Sequence, residues 1–295
     1  MYQILKIITI EQLQFNGYSN RMESIKSEKP RLLALDLDDT LLRSDLSISG
    51  RTRSAIMQTE ASGLTVALVS GRNPESIEPV TRMLDLHRRP GYIISNNGAL
   101  ITESNTDKIV HESLLSKETI LAICDLADAE GFPVQMYADN INYISRKNEY
   151  STIDEKHTGL RQVVVENFRD MAGESCYRLI IPGDPELLAF VENLIKSYLE
   201  DKISIFIRRK YFLQIMPKNT NKGTSLAKLA GLLGYDASEV MAVGNSMNDE
   251  PMIRWAGISV AMANADERLK GIARHVTTKT NDEDGLAELL EDFFN

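Results

Sequence analysis

Arg31-Leu32-Leu33-Ala34-Leu35-Asp36-Leu37-Asp38-Asp39-Thr40-Leu41-Leu42 reads as a buried strand that runs straight into three carboxylates. Leu32 to Leu35 is a continuous apolar run, the pattern of a strand covered on both faces of a parallel sheet. Side chains alternate along extended chain, so Asp36 and Asp38 are expected to start on the same side of it. Like charges that close raise one another's pKa unless a cation or donors lie between them, so the arrangement asks for a metal. Polar residues placed directly after a buried strand also sit where ligands bind in open α/β sheets. The competing reading is an ordinary acidic turn that caps the strand, and the rest of the chain has to separate the two.

At 295 residues the chain is long enough for two domains, each with its own core. Its net charge of −9 argues against a nucleic-acid backbone or an anionic membrane surface as the main partner. A small phosphorylated metabolite stays possible, because local positive groups and a metal can bind it within an acidic protein. Cys124 and Cys176 stand in no Cys-x-x-Cys arrangement and read as buried apolar residues suited to a reducing cytoplasm. No apolar run approaches the roughly 20 residues that a bilayer requires. The beginning, residues 1–30, has a short apolar run, Ile7 to Ile10, and a polar leader ending at Pro30; a disordered N-terminal extension is expected.

After the opening stretch, Arg51 to Ala61 has the composition of a polar helix with Ile56 and Met57 as its apolar face, closed by Gly63. Leu64 to Val69 is a second buried strand and stops at Ser70-Gly71-Arg72-Asn73-Pro74. A strand, a hydroxyl residue, a glycine and a new helix can make a phosphate cradle: the hydroxyl donates, the glycine admits close approach, and the following N–H groups point at the anion. Tyr92 to Ser95 is a third strand, followed by Asn96-Asn97-Gly98-Ala99. Between about Leu100 and Phe212 the pattern helix-strand-strand occurs twice, with Cys176 to Ile181 as an extra strand, enough for an α+β layer of its own. Asn148 to Glu174 is polar, without a clear period, and is expected to be the least regular part. Gln135, Tyr137, Arg161 and Arg178 are polar candidates there for meeting the substrate, with a solvated face or a core-edge tyrosine the favoured reading. Phe212 to Met216 is expected to return to the core as a strand. Lys222 then opens a helix carrying Leu226, Leu229, Ala230 and Leu233, an electrostatically poor place for a cation unless an anion is near. Glu239 to Val243 is the next buried strand, ending at Gly244-Asn245-Ser246-Met247-Asn248-Asp249-Glu250-Pro251.

These stretches together resemble the haloacid dehalogenase superfamily, in its Cof-like branch with a class IIB cap. Asp36-Leu37-Asp38-Asp39-Thr40 resembles its Asp-x-Asp-x-Thr signature, Ser70 its second motif, and Asn97-Gly98-Ala99 its passage from core into cap. Lys222-Gly223 falls where the third-motif lysine stands, and Gly244 to Met252 is similar to Gly-Asp-x-x-Asn-Asp-x-x-Met. The departure is Asn245 in place of an aspartate ligand; an amide oxygen still ligates magnesium but carries no charge, so weaker metal binding is expected.

The resemblance implies a Rossmann-like, doubly wound parallel sheet as core, residues 31–99 and 213–295, with an inserted α+β cap over residues 100–212. It implies Asp36 as nucleophile and Asp38 as general acid and base. Mg²⁺ is expected on Asp36, the Asp38 backbone carbonyl, Asn245 and Asp249. The phosphate is expected on Ser70, Gly71, Lys222 and Asn248, with Arg72 and Asn97 as further substrate contacts. The implied activity is a cytoplasmic magnesium-dependent phosphatase acting on a sugar phosphate or similar metabolite. A phosphomutase or phosphotransferase using the same intermediate stays open, as does a non-catalytic sugar-phosphate-binding regulator. A dehydrogenase is disfavoured, since no strand is followed by Gly-x-Gly-x-x-Gly, and a serine nucleophile elbow is disfavoured because Gly244-Asn245-Ser246-Met247-Asn248 lacks the second glycine. His87, His111, His157 and His275 form no cluster in the sequence. Oligomeric state and the identity of the substrate are not readable from it.

Overall fold

A computed structural model describes residues 30–294, apart from 139, 172–174 and 209. The expected extension before Pro30 lies outside the described residues. In chain order the first elements are β1 (Leu32–Asp36), α1 (Gly50–Ala61), β2 (Thr65–Val69), α2 (Pro74–Met83), β3 (Tyr92–Ser95), β4 (Leu100–Glu103) and β5 (Ile109–Glu112). The middle of the chain holds β6 (Leu115–Ser116), α3 (Lys117–Ala129), β7 (Gln135–Ala138), β8 (Ile141–Ile144), α4 (Glu149–Thr158), β9 (Arg161–Val164), α5 (Phe168–Met171) and β10 (Ser175–Cys176). Next come β11 (Leu179–Pro182), α6 (Pro185–Leu199), β12 (Ile203–Arg208), β13 (Phe212–Pro217) and α7 (Lys222–Leu233). The last are β14 (Val240–Gly244), α8 (Glu250–Trp255), β15 (Ile258–Ala261), α9 (Glu267–Lys270), β16 (His275–Val276) and α10 (Gly285–Phe294).

The chain divides into two compact units, one made of the described residues up to Leu68 together with Ala227 onward, the other of Val69–Leu226. In the first unit the strands lie in the order β16-β15-β14-β1-β2. The β1–β14, β14–β15 and β15–β16 pairs are all parallel. Such a sheet is buried on both faces, which is why β1 and β14 are apolar at every position up to their last residue. Each fully buried leucine of β1 contributes about 1.5–3 kcal/mol of transfer free energy. The packed face of α1 differs from expectation: Ile56 is buried with Thr52, Ala55 and Thr59, while Met57 is exposed. A residue one position from the buried stripe is rotated about 100° away from it. Arg51 on α1 pairs with Glu291 on α10.

In the second unit, β3, β4 and β5 form an antiparallel ladder. A separate six-stranded sheet has the order β12-β13-β11-β7-β8-β9. Its pairs are antiparallel except β8–β9, joined in parallel through α4. Phe212–Pro217, expected to re-enter the core sheet, is instead β13 of this sheet, in register with both β11 and β12. An apolar run fits a buried strand of either sheet, and the partners that decide are not local. One face of the sheet, with Leu179, Ile181, Leu213 and Ile215, packs with Ile120, Ile123 and Ala127 of α3 and Val191, Ile195 and Leu199 of α6. The alternate positions carry Gln135, Asn142, Ile180 and Gln214, all buried.

Residues 148–174, expected to be irregular, hold α4, β9 and α5. The helix α4 opens on a reciprocal capping box between Asn148 and Ser151 and closes on Gly159 in the left-handed region. It shows no apolar period because the residues it buries are polar: Ser151 bonds Gln162, and Asp154 bonds β7 and β8.

Candidate active site

In the first unit, β1 ends at Asp36, which is buried, and the chain does not continue extended as its sequence predicts. Leu37–Leu41 makes one wide turn closed by the Leu42 N–H on the Leu37 carbonyl at 2.8 Å. Leu37 and Leu41 are drawn into the core, and the turn therefore leaves Asp38 and Asp39 exposed, Asp39 at φ 56°. Asp39 takes no part in the set; its carbonyl accepts a bond from the Asn264 side chain.

β14 lies beside β1 with Leu35 level with Val243, so its chain turns just past the position of Asp36. The Asn245 and Ser246 N–H groups both donate to Asp249 Oδ2 at 3.0 Å. Ser246 and Asp249 thereby close a capping box ahead of α8, where Pro251 fills the first turn. Asp249 is wholly buried, while Asn245 and Asn248 are half-buried and the Ser246 hydroxyl donates to Asn248 Oδ1. The fold thus brings Asp36, Asn245, Asn248 and Asp249 to the carboxyl ends of two neighbouring parallel strands.

Two buried carboxylates of this kind are costly without cationic or donor partners. Among the described residues, no three His, Cys, Asp or Glu side chains gather as a metal-binding group. The oxygen donors present are the carboxylates of Asp36 and Asp249, the Asn245 amide and backbone carbonyls. That set fits a hard divalent ion such as Mg²⁺, which is bound through one or two carboxylates plus water.

In the second unit, Ser70 follows β2 and is buried. Its N–H donates to the Ile94 carbonyl at 2.8 Å, and its carbonyl accepts the Asn97 N–H at 3.0 Å. The Arg72 carbonyl accepts the Asn96 N–H at 2.8 Å, and the Arg72 N–H donates to Ser70 Oγ at 3.1 Å. The Arg72 guanidinium reaches the Ser76 carbonyl of α2. Asn96, Asn97 and Gly98 are three successive left-handed residues, at φ 49°, 53° and 101°. A Cβ on Gly98 would overlap the Asn221 carbonyl, and Ser225 Oγ donates to the Gly98 carbonyl at 2.6 Å. Asn221 caps α7 by accepting the Gly223 and Thr224 N–H groups at 2.9 Å. Lys222, first residue of that helix, has one of the largest fully buried side chains in the chain. The Asn96–Gly98 corner therefore links the Ser70–Arg72 loop on one side to the start of α7 on the other.

Arg178, expected on a solvated face, is instead buried and donates through Nη1 to the Gly71 carbonyl at 2.7 Å. Its guanidinium lies 4.7 Å from the ring centroid of Tyr137. Gln135 is likewise buried, whereas Arg161 is exposed. Arg178 stands immediately before β11, an inner strand of its sheet, whereas Arg161 opens β9 at the sheet's edge.

A family model described as haloacid dehalogenase-like hydrolase matches residues 33–290. The crystal structure of a haloacid dehalogenase-like hydrolase from Bacteroides thetaiotaomicron superposes with a TM-score of 0.80 at 30% identity, covering 90% of this chain and 100% of that one. Two phosphatases of Bacillus subtilis (strain 168), YitU and YcsE, are named for 5-amino-6-(5-phospho-D-ribitylamino)uracil. YitU is 28% identical over 276 residues, 90% of this chain and 98% of its own. YcsE is 29% identical over 260 residues, 88% of this chain and 94% of its own. With Asp36 at the end of β1 and Asp249 folded over the end of the neighbouring parallel strand β14, and with a family match across nearly all of the described residues, the chain belongs to the haloacid dehalogenase-like hydrolases.

Proposed function

We infer that the protein is a phosphatase that hydrolyses a small phosphorylated metabolite, with Mg²⁺ as cofactor and an aspartyl-phosphate on Asp36 as intermediate. The observation that carries this reading is the pair of buried carboxylates, Asp36 and Asp249, at the ends of adjacent parallel strands in a chain of this family.

Phosphate monoesters hydrolyse so slowly that enzymes accelerate them by up to about 10²¹-fold, more than one group can supply. In the proposed division of labour an Asp36 oxygen attacks phosphorus, and the bond to the ester oxygen breaks. The Asp38 carboxyl gives its proton to that leaving oxygen, then as carboxylate takes a proton from the water that attacks the aspartyl-phosphate. Orthophosphate leaves and Asp36 and Asp38 are restored. The exposure of Asp38 suits it to meet both an alcohol and water. Asp36, the Asp38 carbonyl, Asn245 and Asp249 would hold Mg²⁺, which supplies charge neutralisation between nucleophile and phosphate. Ser70, Gly71, Lys222 and Asn248 would take the other phosphoryl oxygens, with Arg72 and Asn97 beside them.

A phosphorylated sugar or sugar alcohol is the substrate class proposed, and the names of YitU and YcsE make a phosphoribityl compound one to include. The test is release of orthophosphate by the full chain from p-nitrophenyl phosphate and a panel of sugar phosphates. Magnesium-dependent release that Asp36→Asn abolishes is the expected result; full activity in that variant or in excess EDTA would reject the mechanism. Transfer to an acceptor sugar in place of water would instead mark a phosphotransferase.

A further inference from the structure

Gly71 and Arg72 share one peptide unit whose two ends are both held. The Gly71 carbonyl accepts from Arg178 Nη1 at 2.7 Å, and the Arg72 N–H donates to Ser70 Oγ at 3.1 Å. A trans peptide is planar with its C=O and N–H on opposite sides, so fixing one end fixes the other. The carbonyls before and after, those of Ser70 and Arg72, are held by the backbone N–H groups of Asn97 and Asn96. The Gly71 carbonyl is held by a side chain from a residue 107 positions later.

That side chain is expensive to place. Arg178 is 7% exposed, and a guanidinium taken out of water costs several kcal/mol unless well bonded. It lies against the Tyr137 ring, a cation–π contact. The Tyr137 hydroxyl donates to Asp154 Oδ2 at 2.6 Å, where Gln135 Nε2 and Asn142 Nδ2 also donate, at 2.7 and 2.9 Å. A buried carboxylate with three donors thus anchors the ring that carries the guanidinium, which in turn grips one backbone carbonyl.

We propose that Arg178 is a positioning residue for Ser70, acting through the Gly71–Arg72 peptide. This rests on the reading of Ser70 as a phosphate ligand. A cation on the carbonyl polarises the peptide and strengthens its N–H as a donor; a hydroxyl that accepts such a bond becomes a better donor itself. With its lone pair engaged by Arg72, the Ser70 hydroxyl turns its hydrogen outward, toward a phosphoryl oxygen. The chain from Arg178 through Gly71, Arg72 and Ser70 therefore directs positive potential onto the substrate without Arg178 touching it.

A double-mutant cycle on the full chain tests this. Arg178→Met should lower kcat for p-nitrophenyl phosphate about tenfold, the loss of one charge-assisted bond, with KM changed less than about twofold. Ser70→Ala should lower kcat about 10²-fold. In the Ser70→Ala background, Arg178→Met should have no further effect, because its route is gone. Losses that multiply would overturn the proposal while leaving the phosphatase reading intact. Should the Met variant fail to fold, Arg178→Lys and Tyr137→Phe carry the same cycle. A second readout needs no activity: exchange of the Arg72 amide hydrogen should quicken at least about tenfold in Arg178→Met. Unchanged exchange would also overturn the proposal. A chain that hydrolyses no phosphate ester but shows the quickened exchange would sink the phosphatase reading and keep the positioning role.

Discussion

Asp249 lies directly over Gly244: a β-carbon on that glycine would stand 2.7 Å from the Cβ, Cγ and Oδ2 of the aspartate. The absence of a side chain at the last position of β14 is what lets a wholly buried carboxylate fold back across the strand end and take the Asn245 and Ser246 N–H groups. Gly244→Ala should therefore push Asp249 out of place. Overpacking of this kind costs about 1–3 kcal/mol, and activity should fall further than stability does. Urea unfolding beside a magnesium titration of phosphate release would show both; a wild-type magnesium midpoint in the variant would separate Asp249 from the ion.

Asn245→Asp adds a negative charge where the family resemblance places one, and the backbone bond from residue 245 to Asp249 is unaffected by the change of side chain. A carboxylate in place of an amide strengthens the hold on a hard divalent cation. The magnesium concentration for half-maximal activity should drop about tenfold or more. Calorimetric titration with Mg²⁺ gives the same answer without substrate, and an unchanged affinity would remove residue 245 from the ion's surroundings.

Burial pushes the Cys124 thiol up to about 11 and the Cys176 thiol up to about 12. Both are free and both are buried. A thiol reacts as its thiolate, so at pH 8 the folded protein should resist Ellman's reagent at both positions. Two equivalents should label at once in denaturant. Rapid labelling of the native protein would contradict the packing around α3 and β10.

Asp266 is held down to about 2 by hydrogen bonds from the Arg268 side chain and backbone. Glu291 is lowered by its bond from Arg51, and Asp282 by bonds from Ser44. For a group whose folded pKa lies below its unfolded one, the stabilisation is complete above the unfolded value and is lost as pH falls through the folded value. The urea midpoint should hold steady above about pH 5 and decline toward pH 2. Asp282 is exposed and Asp266 and Glu291 are about one-third exposed, so each contributes little and the slope should be shallow and flattened by salt. A midpoint that rises on acidification would reverse the sign of the argument.

Much of the first unit was legible because its strands are continuous apolar runs that stop at polar residues, as at Leu35–Asp36 and Val243–Asn245. A parallel sheet buried on both faces imposes that pattern strand by strand, and the carboxylates mark where burial ends. An acidic turn after β1 was one of two readings of Asp36 to Thr40, but its wide form over Leu37–Leu41 was not legible, since it depends on Leu37 and Leu41 both being drawn into the core. Nor was α4, whose buried residues are Ser151 and Asp154; a helix that buries hydrogen-bonding groups has no apolar period to find. The role of Phe212–Pro217 depended on its pairing with β11 and β12, information held outside the segment. Arg178 escaped for the same reason, because what buries it comes from segments distant in sequence, Gly71 and Tyr137.

The chain passes Gly98 on its way out and Ser225 on its way back, and those two residues share a 2.6 Å hydrogen bond. Everything between them is a closed excursion, whose ends meet whatever its contents. Closing a flexible loop costs only about 0.6 kcal/mol more for each doubling of its length. A lineage can thus lengthen, trim or trade the intervening segment while the junction keeps its clasp.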